Sequence, residues 1–230
     1  MTQNAWNTPY SSANGQLLIG SGSGRPAWAT LTQGDATTIT NGAGSITVAF
    51  DAASGDFEFI SSATASGSSE ITFTGLSSTY DTYMITMQGV QPSTDGSIMQ
   101  MQTSTDGGST YDSGASDYAW NSAGTNDGGT IDPEGSTGDT KIGLAGEQGS
   151  EELGSGTNET LAGNIWMYNL SDTEYSKFNF NFSYLDLVAD HCSLTGGGAR
   201  LSAADVDAVR IFMDSGNIST GTFKLYGYKA

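Results

Sequence analysis

The chain has 230 residues, with 25 Asp and Glu against 7 Lys and Arg and a formal net charge of −18. That length accommodates one sandwich-sized core, or a modest core with an extension, and excludes two large domains. The charge excludes nucleic acid as a partner, because no basic stripe offsets the repulsion of phosphates. Membrane insertion is excluded as well, since no apolar run approaches the roughly 20 residues that span a bilayer. The opening MTQNAWNTPY lacks the basic and apolar regions of a signal peptide, so signal-led export is not expected.

Residues 1–56 are expected to form an extended, Gly- and Ser-rich arm. Its apolar runs, QLLI at 16–19, TIT at 38–40 and SITVAF at 45–50, are each too small to bury a face alone. Leu17, Ile19, Ile46, Val48 and Phe50 are therefore expected to share an interior with other copies, in a trimer or along a neighbouring subunit. GSGSGR at 20–25 lacks the Lys-Ser/Thr ending of a phosphate loop.

Beyond the arm the dominant signal is alternation, and it predicts an all-β, antiparallel β-sandwich of jelly-roll type over 57–230. Predicted strands are ITFT at 71–74, TYMITMQGV at 82–90, SIMQMQT at 97–103, NIWMYNL at 164–170, KFNFNFSYL at 177–185, AVRIFM at 208–213 and TFKLYGYK at 222–229. The clearest is KFNFNFSYL, which places Phe178, Phe180, Phe182 and Tyr184 on one face and Lys177, Asn179, Asn181 and Ser183 on the other. Residues 121–163, poor in large apolar side chains, read as one long acidic loop. Its Asp132, Glu134, Asp139, Glu147, Glu151 and Glu152 show no calcium-loop spacing, and no pair of them is placed across a sugar for glycoside hydrolysis. LSAADVDA is expected to make about one helical turn, with Ser202 as N-cap and Asp205 three residues later. Cys192 is the sole cysteine and His191 the sole histidine, which excludes a disulfide, a cysteine metal cluster and a two-histidine zinc site. As neighbours on a strand they point to opposite faces, so no Cys-His nucleophile is expected.

The stretch GQLLIGSGSGRPAWATLTQGDATTITNGAGSITVAF resembles a segment recurring in tailed-bacteriophage fibre proteins. The remainder, from EITFTGLSSTYDTYMITMQGVQPSTDG through STDGGSTYDSGASDYAW to GTFKLYGYK, is similar to β-sandwich modules of phage virion proteins. The resemblance implies a virion surface protein, commonly trimeric, with a distal sandwich facing host or solvent. A long fibre with anchor and shaft exceeds 230 residues, which leaves a short fibre, a fibre tip and a capsid head fibre or decoration protein as alternatives.

Within QTSTDGGSTYD, Ser104, Asp106, Gly108, Thr110 and Tyr111 resemble the Asp-box of sialidases, which implies a β-hairpin turn with the Asp bonded to turn amides. Asp106 and Asp112 alone are too few for the six to eight oxygens of a calcium site. One box and three arginines also fall short of a sialidase. The expected function is therefore a structural, non-enzymatic virion protein: a trimeric tail fibre or receptor-binding component that mediates host attachment. Expected partners are copies of itself, other tail or capsid proteins and host-surface glycan; no metal or cofactor is expected. Tyr111, Tyr118, Trp120, Asn121 and Asn126 are the candidate glycan contacts, through ring stacking and amide hydrogen bonds. An enzyme acting on polysaccharide is disfavoured, because no acid/base pair is identifiable.

Overall fold

The computed structural model describes residues 16–20, 26–32, 37–42, 45–50, 57–129, 131–147, 149, 151–171 and 174–229. The reading of 20–25 as no phosphate loop lies largely outside them. The chain divides into two compact units, Met1–Asp56 and Phe57–Ala230.

In the first unit, β1 (Gln16–Ile19) pairs with β2 (Ala27–Thr30), and β3 (Thr37–Gly42) pairs with β4 (Ser45–Phe50), both antiparallel. Each is an isolated two-stranded ribbon, a form marginally stable in water without a covering layer. Leu17, Ile19, Val48 and Phe50 are exposed, Phe50 at 85%, and Ile46 is half-buried.

The second unit contains β5 (Phe57–Ser68), β6 (Glu70–Thr74), β7 (Thr82–Pro92), β8 (Met99–Ser104), β9 (Tyr118–Asn126) and β10 (Ile131–Asp139). It continues with β11 (Ile142–Ala145), β12 (Leu161–Tyr168), β13 (Lys177–Leu185), β14 (His191–Arg200), β15 (Ala208–Met213) and β16 (Ile218–Tyr228). Eight strands form a large antiparallel sheet in the order β10-β9-β14-β13-β12-β7-β16-β5, and four form a small one in the order β11-β8-β15-β6. The described residues contain no helix.

Alternation decides which side of each strand is buried. In β13 the four aromatic residues point inward and Lys177, Asn179, Asn181 and Ser183 outward, as expected. Tyr83, Ile85 and Met87 of β7 and Phe223 and Leu225 of β16 face the same way, and meet Met99 and Met101 of β8 and Val209 and Ile211 of β15 in one core. At about 25 cal/mol per Å² of apolar surface, each such side chain stabilises by about 2 kcal/mol before chain entropy is counted.

Two expectations are corrected. Residues 121–163 do not form one long loop, because β9, β10, β11 and the start of β12 run through them. β10 is an edge strand whose pairs with β9 tolerate Pro133 and Gly135, since an edge position needs few ladder bonds and little side-chain volume. Residues 201–207 do not form a helical turn. Their amides are used elsewhere: Leu201 N–H donates to Asp117 O, Val206 N–H to Leu170 O and Asp207 N–H to Ser104 O.

Candidate binding surface

The Ser104–Tyr111 turn joins β8 of the small sheet to β9 of the large sheet, so it is not the turn of a β-hairpin. Its internal bonding nevertheless follows the expected logic. Thr110 N–H donates to Asp106 Oδ1 at 2.8 Å, Thr110 Oγ1 donates to Oδ2 at 2.7 Å, and Ser104 Oγ donates to Oδ1 at 2.8 Å. These donors hold the Asp106 carboxyl at about 2, well below its ordinary pKa. Gly108 has φ +85°, a backbone conformation that favours glycine, and a Cβ there would lie 3.1 Å from the Tyr111 hydroxyl, a tight contact. Asp207 accepts from Gly107 N–H at 2.9 Å, and Arg210 lies 4.5 Å from the centroid of the Tyr111 ring. Tyr111 is thereby a structural ring under the turn. Both carboxylate oxygens of Asp106 accept bonds within the turn, and Asp112 is bound by Arg200 Nε at 2.6 Å.

Of the remaining expected contacts, Tyr118 and Trp120 are buried and cannot meet a ligand. Both are inward positions of β9. The Tyr118 hydroxyl accepts from Thr103 N–H at 2.8 Å, and burial raises its pKa to about 12. Trp120 Nε1 donates to Asp139 Oδ2 at 3.0 Å, beneath Lys141. Asn126 is half-buried at the end of β9. Asn121 alone stands on an exposed outward position of the large sheet, and it leads to a surface that composition did not single out.

That surface is the outer face of the eight-stranded sheet. The strand registers order it into rows running across the strands. One row reads Asn121, Gly197, Asn179, Trp166, Met84 and Tyr226, from β9 through β14, β13, β12 and β7 to β16. Gly135 of β10 and Phe59 of β5 complete it at either end. The row on one side contains Lys177, Tyr168, Thr82, Tyr228 and Phe57; the row on the other contains Thr195, Asn181, Asn164, Thr86 and Lys224. A fourth carries Thr125, Ser193, Ser183 and Ala162.

The face therefore changes character across its width. At the β5 end aromatic rings touch one another: Phe57 lies 5.5 Å from Trp166 and 5.3 Å from Tyr228, Phe59 lies 5.7 Å from Tyr226, and Trp166 stacks on Tyr168. Phe57 is 49% and Phe59 54% exposed, and such a contiguous apolar patch marks an interaction site more than isolated exposed residues do. Toward β10 the floor is built mainly of amides, hydroxyls, Gly and Ala, with shallow depressions around Asn121, Gly197 and Asn179, where Pro133 and Glu134 of β10 form the rim, and around Asn164, Asn181 and Ser183. No Asp or Glu occupies any paired outward position of these four rows.

His191 and Cys192 stand on opposite faces of β14. The imidazole Nε2 is 2.9 Å from Ser183 Oγ on the outer face, while Cys192 is buried and burial raises its thiol pKa to about 12. Among the described residues no cluster of His, Cys, Asp and Glu is arranged to hold a metal ion, and no helix is long and apolar enough to cross a membrane.

No protein-family model, no curated protein and no solved structure matches this chain.

Proposed function

We propose that this chain is a non-enzymatic virion protein of a tailed phage, a trimeric fibre or receptor-binding component that attaches to host-surface glycan through the outer face of its large sheet. A jelly-roll-like sandwich and three-fold assembly belong to the same proposal. The observation that carries it is the outer face itself, with exposed aromatic rings at one end and an amide and hydroxyl floor across the rest. Rings cover the apolar faces of sugars, and amides exchange hydrogen bonds with hydroxyls in fixed directions. The exposed apolar side chains of the two N-terminal ribbons support assembly, because Leu17, Ile19, Val48 and Phe50 gain a buried environment only from another surface. The separation of His191 from Cys192 supports binding over nucleophilic catalysis.

The test is binding of the full chain to bacterial cells and to arrayed surface polysaccharides. Binding abolished by periodate oxidation of the glycans, without new reducing ends, is the expected result. Shortened polysaccharide would make the protein an enzyme, and periodate-insensitive binding would point to a protein receptor. Absence of cell binding together with a copy number set by capsid symmetry would move the chain to head decoration, for which the same apolar ribbons would grip the shell.

A further inference from the structure

Within the reading of the outer face as a glycan platform, on which this inference rests, we propose that its ligand is an acidic glycan lying across the strands. The charge distribution carries the argument. Carboxylates outnumber basic groups by 25 to 7 over the chain, yet the four outward rows contain Lys177 and Lys224 and no carboxylate. Arg200, Arg210 and Lys141 are all engaged in salt bridges away from this face, whereas Lys177 and Lys224 form none among the described residues. Lys177 Nζ donates to Tyr175 O at 3.0 Å and lies 5.3 Å from the Tyr175 ring, contacts that bring no carboxylate to it.

The register places these two ammonium groups on opposite sides of the Asn121-to-Tyr226 row, Lys177 in the row on one flank and Lys224 in the row on the other. A chain lying along the central row meets a ring platform at Trp166 and Tyr226, then passes over Gly197, where a missing side chain opens the floor between Asn121 and Asn179. A Cβ at 197 would approach the Asn179 amide to 3.2 Å, so glycine keeps that depression open. Five strand steps of about 4.8 Å make the row about 24 Å long, enough for an extended oligosaccharide and too long for a single sugar. A carboxylate on such a chain finds an ammonium on either flank between β13 and β16, while Glu134, which lines the depression beside Asn121, sits at the far β10 end. Local attraction of this kind survives the overall negative charge because distant carboxylates are screened beyond about 8–10 Å at physiological salt.

The experiment measures binding of the full chain to immobilised polygalacturonate, alginate and hyaluronate, each beside its methyl-esterified form, with dextran as a neutral chain. The expected result is binding to at least one acidic polymer and loss on esterification. Affinity should fall about tenfold for Lys224→Gln and for Lys177→Gln, and steeply with added salt. Trp166→Ala and Ala123→Phe, the second filling the floor beside Asn121, should weaken binding with the melting temperature of each variant recorded as a folding control. Equal binding of the esterified or neutral polymers overturns the acidic assignment and leaves the glycan reading standing. Binding to none of the polymers while cells are still bound in a periodate-sensitive manner does the same. If Trp166→Ala instead dissociates the oligomer and leaves glycan binding intact, the face is an intersubunit surface and the inference fails.

Discussion

Asp106 and Glu151 are acidic residues that folding treats in opposite ways. Asp106, held at about 2 by Thr110 and Ser104, releases its proton more readily in the folded chain than in the unfolded one. Its contribution is therefore complete above the ordinary aspartate value of 3.8 and is lost as pH falls toward about 2. Asp106→Asn should lower the melting temperature at pH 7 and leave it close to wild type near pH 2, read by thermal denaturation across that range. Glu151 is buried, its Oε2 has no partner among the described residues, and burial, with Asp132 and Asp186 nearby, raises its pKa. Its cost appears above the unfolded glutamate pKa and is relieved as pH falls. Glu151→Gln should accordingly be more stable than wild type at pH 7, with the gap closing near pH 4; a gap independent of pH would show that ionisation is not the cause. The Asp106 turn was legible in QTSTDGGSTYD because its bonds are local. The burial of Glu151 was not, since nothing near it in sequence distinguishes it from a solvated acid.

Among the strands, β13 gives the sharpest contrast. Phe180 is fully buried, and Phe180→Ala should cost about 3–5 kcal/mol through lost burial and a residual cavity, while the outward Asn181→Ala should stay near zero in chemical denaturation. Equal effects would mean that the alternation does not set the core. The neighbouring strand β14 shows why alternation alone was insufficient. Its LTGGGAR carries no alternation of large apolar residues, yet Gly196 lies directly under Phe180, where a Cβ would come within 2.4 Å of the ring. The glycine is there to admit a large partner on the next strand, and Gly196→Val should destabilise at least as much as Phe180→Ala does, by displacing the ring. A related reason hid β10, whose small residue Ser136 pairs with the bulky Trp120 of β9 and so carries no hydrophobic signature of its own.

For the molecule as a whole, two bodies of different character follow one another along the chain. Phe57–Ala230 has a continuous core of its own, whereas the ribbons of the first unit leave Phe50 85% exposed. Native mass spectrometry should find a trimer, and Val48→Asp with Phe50→Asp should convert it to monomer while leaving the near-ultraviolet signature of the second unit unchanged. A wild-type monomer whose residues 16–50 resist proteolysis would refute the assembly.

The sequence by itself determined the all-β class, most of the core strands and the placing of His191 and Cys192 on opposite faces of a strand, because each depends on period-2 alternation. It also determined the bonding inside the Asp106 turn, where donor and acceptor are at most four residues apart. Only the tertiary structure decided that Tyr118 and Trp120 are core while Asn121 is surface, since strand β9 had first to be recognised and given an inward side by the sheet above it. The outer face was likewise invisible in one dimension. Asn121, Asn179, Trp166 and Tyr226 are separated by tens of residues in the chain and become neighbours only through strand register, which is fixed by long-range pairing between strands.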